Sequence, residues 1–131
     1  MKRTAATLIL LALSACSTEK RTGSEYDHVQ VPVERLASAE ARARGREIFE
    51  SKCALCHGVE ADGRGRRHSG LSSAPPNFQN GDWRQSVTPK YVFKMVSEGK
   101  RGTSMPGWPT LSQEQRWDVV AYVLSVAEDG P

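Results

Sequence analysis

The stretch SKCALCHG, residues 51–58, places Cys53, Cys56 and His57 within five positions, and the reading of those three side chains decides the fold. A disulfide, a zinc ion, a redox-active dithiol and a haem all use such residues. The sequence around them separates the four.

Upstream, Ser38 is a helix-capping residue, and Ala41, Gly45, Ile48, Phe49 and Lys52 or Cys53 recur at spacings of three and four. The spacing predicts an amphipathic helix that runs from Ser38 into the cysteines. Downstream, residues 58–87 carry Gly58, Gly63, Gly65, Gly70, Pro75, Pro76 and Gly81 with little periodicity, so they read as one long structured loop. A loop of that length in a small domain is functional or is wrapped around something.

Thr88 followed by Pro89 marks a helix start, with proline at the first helical position. Tyr91, Val92, Met95 and Val96 give that helix an apolar face, and Gly99 ends it. After the turn-rich segment KRGTSMPGWPT, Ser112 and Gln115 form a capping-box pattern that opens a last helix with apolar positions Trp117, Val120, Ala121 and Leu124. The fold class is therefore all-α, three to four helices with long loops and no strand-like alternation. Helices this short in about 95 residues bury too little surface to be stable alone, so the core needs a covalent or prosthetic staple.

The chain has 131 residues, 38% hydrophobic and 25% charged, which allows one small domain and a tail. Residues 1–15 stand apart: Lys2 and Arg3 precede a short uncharged stretch of signal-peptide length. The segment ends in LSAC, residues 13–16, which resembles the bacterial lipobox, whose cysteine is acylated after cleavage. That resemblance implies a lipoprotein signal peptide over 1–15, a flexible tether over 16–35 starting at a lipidated Cys16, and a folded domain over 36–131. The tether, polar and interrupted by Gly23 and Pro32, would reach on the order of 60 Å at about 3.3 Å per residue. Cleavage removes two basic residues and no acid, leaving 16 basic against 15 acidic side chains. The basic residues are scattered and not interleaved with aromatics, so nothing points to nucleic acid.

Cys-x-x-Cys-His in an exported chain is the pattern of covalent c-type haem attachment. Cysteines three apart on a helical turn reach the two vinyl groups on one edge of a porphyrin, and the adjacent histidine is carried under the ring. A structural zinc site wants four ligands, and the other histidines are His28 in the tether and His68 in the loop. A thioredoxin-like dithiol needs a βαβ context that is missing, and a plain disulfide leaves His57 as coincidence.

With these features together, residues 36–127 resemble a class I c-type cytochrome. GREIFESKCALCHG, residues 45–58, matches that family's opening helix and haem motif; LSQEQRWDVVAYVLS, residues 111–125, matches its closing helix, with Tyr122 in the position of the aromatic that packs near the glycine. Gly45 suits a close approach of two helix backbones independently of the resemblance. The family carries an axial methionine in a loop before the last helix, which points to Met105 in GTSMPGW. Met95, on an apolar helix face, reads as core, and His68 as a solvated loop residue. The resemblance thus implies one haem c attached to Cys53 and Cys56, with His57 and Met105 as axial iron ligands.

In the family a proline carbonyl after the motif accepts from the ligand histidine, and Pro75 and Pro76 are the candidates here. Trp83, Arg84 and Arg67 stand open between haem-propionate partners and ordinary core or surface positions. The expected function is a monohaem electron carrier, not an enzyme, tethered on the periplasmic side of a bacterial membrane, in the outer membrane if the cell is Gram-negative. It would exchange electrons with redox protein partners and act on no small-molecule substrate. Two alternatives remain: the haem subunit of a larger oxidoreductase, and a haem sensor or peroxidase with a labile methionine.

Overall fold

The computed structural model describes residues 26–128. Each of the main helices begins where a side chain satisfies the free amides of the first turn. Ahead of them lies a short helix, α1 (Val33–Ala37). Ser38 then caps α2 (Ala39–Lys52), its hydroxyl accepting from the Ala41 amide at 3.2 Å. After a break at Cys53 comes α3 (Ala54–His57), a single turn ended by Gly58 at φ 84°.

The region expected as unbroken loop contains a further helix, α4 (Gly81–Ser86), capped by Asn80, whose carboxamide oxygen accepts from the amides of Asp82 and Trp83. Thr88 caps α5 (Pro89–Glu98), which stops at Gly99 with φ 77°. Ser112 and Gln115 form the expected capping box of α6 (Gln113–Ser125). Among the described residues there is no strand, and one isolated bridge joins Gly99 to Pro106. The all-α architecture matches the reading of the sequence, with α1 and α4 as short additions.

The most extensive helix pairing is between α2 and α6. On α2 the buried positions are Ala41, Gly45 and Phe49, one stripe of the helix. On α6 nearly every position from Trp117 to Ser125 is buried, because α2, α5 and α1 all pack against it. From α5, Val92, Phe93 and Val96 enter this core, and the Phe93 ring stacks on Trp117 with centroids 4.2 Å apart. Asp118, 4% exposed at its side chain, receives Arg35 Nη1 at 2.6 Å and Arg44 Nε at 2.8 Å, which ties α1 and α2 to α6.

Residues 26–31, at the end of the segment read as a tether, lie against the domain. Tyr26, Val29 and Val31 pack on the core, Tyr26 meets Phe93 edge-on at 5.9 Å, and Lys90 Nζ donates to the Asp27 carbonyl at 3.1 Å. Cys16 and residues 1–15 lie outside the described residues. No helix among the described residues is long and apolar enough to cross a membrane.

Candidate functional site

Where α2 breaks, the chain turns Cys53, Cys56 and His57 toward the interior. Cys53 and Cys56 are half-buried and form no disulfide among the described residues. Burial pushes the Cys53 thiol up to about 12, so it stays protonated at neutral pH. The His57 ring is buried against Phe78, stacked at 4.8 Å and 16°, with Phe49 at 6.2 Å. Burial lowers its pKa to about 4, so the imidazole is neutral at neutral pH and keeps a free lone pair. Its Nδ1 is buried with no hydrogen-bond partner among the described residues. A buried unsatisfied nitrogen is costly and uncommon, and calls for a functional explanation.

The long loop wraps around this turn. The Gly63 amide donates to the His57 carbonyl at 2.8 Å, and a side chain at Gly63, φ 81°, would come within 2.7 Å of the Pro75 carbonyl oxygen and 3.1 Å of that of Pro76. Glycine there lets the two proline carbonyls approach the backbone that bonds the His57 carbonyl. Farther on, the Phe78 amide donates to Ala61 at 2.9 Å, which sets the Phe78 ring on His57.

On the opposite side Met105 is presented by the segment between α5 and α6. The Lys100 amide donates to the Met105 carbonyl at 3.1 Å and the Trp108 amide to Val96 at 2.9 Å, so the base of this loop is bonded to the end of α5.

Between the two walls lies a mostly apolar cavity of about 620 Å³ lined by Cys53, His57, Phe78, Trp83, Met95 and Met105, among others. A second cavity of about 380 Å³ shares Cys53, His57, Pro76 and Met105 with it and adds Cys56 and Pro75. The larger falls within the usual size range of cofactor and ligand sites. The interior that the helices fail to fill is thus where the sequence led us to expect a staple.

All the expected site residues among the described ones reach these walls: Cys53, Cys56, His57, Met105, Pro75, Pro76 and Trp83. Met95 differs from expectation. Instead of packing in the core it is half-buried on the wall of the larger cavity, because Phe93 takes the core position on α5. Arg84 turns away: its Nε donates to the Leu124 carbonyl at 3.1 Å, and its guanidinium lies 3.7 Å from Glu128. Arg67 lines the smaller cavity, while His68 is exposed with Nδ1 2.7 Å from the Gly65 carbonyl. Phe78, the ring that stacks on His57, carried no sequence signal beyond being apolar.

Among the described residues no group of three His, Cys, Asp or Glu side chains is arranged to hold a metal ion, so the zinc reading finds no ligand set. A haem fits what is present: cysteines three apart with no disulfide among the described residues, a neutral histidine, and an apolar slot facing a thioether.

A helical fold closed around such a slot is that of a cytochrome c domain. Residues 40–123 match the family described as "Cytochrome C oxidase, cbb3-type, subunit III", and the chain belongs to it. The chain is 33% identical over 101 residues to the cbb3-type cytochrome c oxidase subunit CcoP of Rubrivivax gelatinosus, covering 76% of this chain and 31% of that protein. It is 30% identical over 90 residues to the thiosulfate dehydrogenase of Stutzerimonas stutzeri, covering 63% of this chain and 26% of that one. Among solved structures it resembles a chain of the Kuenenia stuttgartiensis reducing HAO-like protein complex, with a TM-score of 0.62 and 31% identity over 68% of this chain and 44% of that one. The chain therefore spans less than a third of the length of these curated relatives.

Proposed function

We propose that this chain is a monohaem electron-transfer protein in which Cys53 and Cys56 attach the haem through thioethers and His57 and Met105 ligate its iron. The observation that carries the reading is that Cys53, His57 and Met105 line one apolar cavity. The Cys-x-x-Cys-His pattern occurs once in the sequence, which supports one haem. Bound there, haem supplies one-electron chemistry, and a thioether opposite an imidazole raises the reduction potential.

The residues of the chain set the conditions for that chemistry. His57 is held neutral by burial and is therefore competent to ligate. Its Nδ1 needs an acceptor, and the Pro75 and Pro76 carbonyls, gathered at Gly63, are the candidates. Phe49, Phe78, Val92 and Val96 line the slot with apolar surface. With His57 and Met105 both holding the group, no position would be left for a substrate, which would favour a carrier over an enzyme. Cys16 would carry lipid and leave the domain on the periplasmic side of a bacterial membrane, near redox partners confined to the same surface.

A second reading follows from the relatives, which are named as subunits of an oxidase and as a dehydrogenase. In it the same haem serves a larger oxidoreductase complex, the chemistry belonging to a partner. Purification alone or with a larger subunit separates the two.

The test is optical spectroscopy of ferric and ferrous protein made in cells that mature c-type haem. A ferric band from an iron–thioether bond that disappears in Met105→Ala, with a ferrous spectrum insensitive to carbon monoxide, supports the carrier. Immediate carbon monoxide binding by the unsubstituted protein would favour a sensor or peroxidase.

A further inference from the structure

Met105 lies outside any helix, and the bonds from α5 fix the base of its loop. The outer turn is organised from within: Thr103 Oγ1 donates to the Lys100 carbonyl at 2.7 Å and accepts from the Met105 amide at 3.2 Å. Two more contacts reach the loop from other parts of the chain. The Ser72 amide donates to Ser104 Oγ at 3.2 Å, and the two hydroxyls are also 3.2 Å apart. Lys52 Nζ stands 5.7 Å from the centroid of the Trp108 ring.

Ser104 precedes Met105 by one position and Trp108 follows it by three, so the contacts flank the methionine on both sides. Lys52 is the residue before Cys53, and Ser72 belongs to the long loop whose Gly70, Leu71 and Ser73 to Pro76 wall the smaller cavity. Lys52, Ser104, Met105 and Trp108 all line that cavity, so the two contacts tie the methionine loop to its opposite wall.

We propose that Lys52–Trp108 and Ser72–Ser104 are clasps that hold the methionine loop closed, and that they set how often Met105 leaves its place and admits an outside ligand. The proposal rests on the reading of Met105 as an iron ligand. Lys52, Ser72 and Ser104 are exposed, so each clasp is weak and can be undone without disturbing the core. An exposed cation–π contact corresponds to about a twofold to fivefold change in an opening equilibrium. A loop held by two such contacts opens rarely but reversibly. Lys52, Ser72, Ser104 and Trp108 are positioning residues; none is assigned a direct bond to the iron.

The experiment uses the haem-containing protein with imidazole as the probe, added above its own pKa so that it is uncharged, and follows its binding to ferric iron. Lys52→Gln should admit imidazole about twofold to fivefold faster. Ser104→Ala, which removes the hydroxyl shared by both Ser72 bonds, should also admit it faster, and the double variant should exceed either. Lys52→Arg, which keeps a cation over the ring, should remain near the unsubstituted rate. Amide exchange at Trp108 should quicken in Lys52→Gln while the denaturant midpoint stays unchanged, which a general loss of stability would not produce. Imidazole binding at the unsubstituted rate in the double variant overturns the clasps while leaving Met105 as the ligand. Equal imidazole rates for Met105→Ala and the unsubstituted protein overturn the ligand reading, and the proposal falls with it.

Discussion

Gly45 of α2 rests directly on the backbone carbonyl of Asp118 in α6. A side-chain carbon at Gly45 would overlap that oxygen and come within 3.0 Å of Cβ of Tyr122. Backbone atoms of α6 cannot swing aside, so the two helices would have to separate. Gly45→Ala should destabilise the haem-containing protein by about 3 kcal/mol, the upper range for overpacking. Gly70→Ala, where nothing lies within 4 Å, should stay within about 0.5 kcal/mol. Guanidinium unfolding of both variants provides the comparison, and equal midpoints would contradict the close approach.

The same turn of α6 carries Asp118, which Arg35 and Arg44 approach from different helices. Removing one arginine leaves the carboxylate a cation, whereas removing both leaves a buried unpaired charge. Arg35→Gln and Arg44→Gln should each be tolerated, and the double variant should lose more than the sum of the two. A double-mutant cycle in urea measures the excess; strict additivity would mean that neither arginine compensates for loss of the other.

The three longer helices were legible because each start is written in local chemistry: Ser38, Thr88 with Pro89, and Ser112 with Gln115. Their buried stripes follow from periodicity. Helix α4 was hidden because it begins at a glycine and is only six residues long, too short for a period, and its single signal is Asn80. Cys53, Cys56 and His57 were legible as a contiguous motif. The stacking of Phe78 on His57 was not, because it depends on how a loop of some twenty residues folds back, which no local pattern encodes. The outward turn of Arg84 toward Leu124 is a tertiary contact of the same kind.

The cations beside the cysteines and the methionine loop, Lys52, Arg64, Arg66, Arg67, Lys100 and Arg101, make no ion pair among the described residues, whereas Arg35, Arg42, Arg44, Arg46 and Arg84 are paired elsewhere. Arg67 is bonded through its amide to Leu55 at 2.9 Å, which sets this group next to α3. An unpaired positive face attracts anionic reactants at low salt. Oxidation of the ferrous protein by ferricyanide should slow several-fold between about 0.01 M and about 0.15 M salt, as the screening length falls from about 30 Å to about 8 Å. The cationic oxidant hexaammineruthenium(III) should show the opposite trend, and Arg66→Glu should weaken both. Stopped-flow traces at the two ionic strengths decide it, and two flat profiles would remove any steering role for this face.

Met95 and Met105 both line the larger cavity, so proximity to the slot does not by itself choose between them. What separates them is attachment. Met95 sits on the α5 helix, whose position is set by Val92, Phe93 and Val96 in the core, and it does not reach the smaller cavity beside Cys56. Met105 lies on a loop that faces Cys53 and His57 across both cavities and can adjust to meet a bound group. Leucine for methionine nearly conserves volume, so Met95→Leu should cost less than about 1.5 kcal/mol of stability, whereas Met105→Leu also gives up the proposed ligand bond. Met95→Leu should therefore keep the iron–thioether band with only a small change in potential, whereas Met105→Leu should lose the band and lower the potential. Ferric spectra and a redox titration of the two variants measure both effects. Loss of the band in Met95→Leu with its survival in Met105→Leu would transfer the ligand role from the loop to the helix.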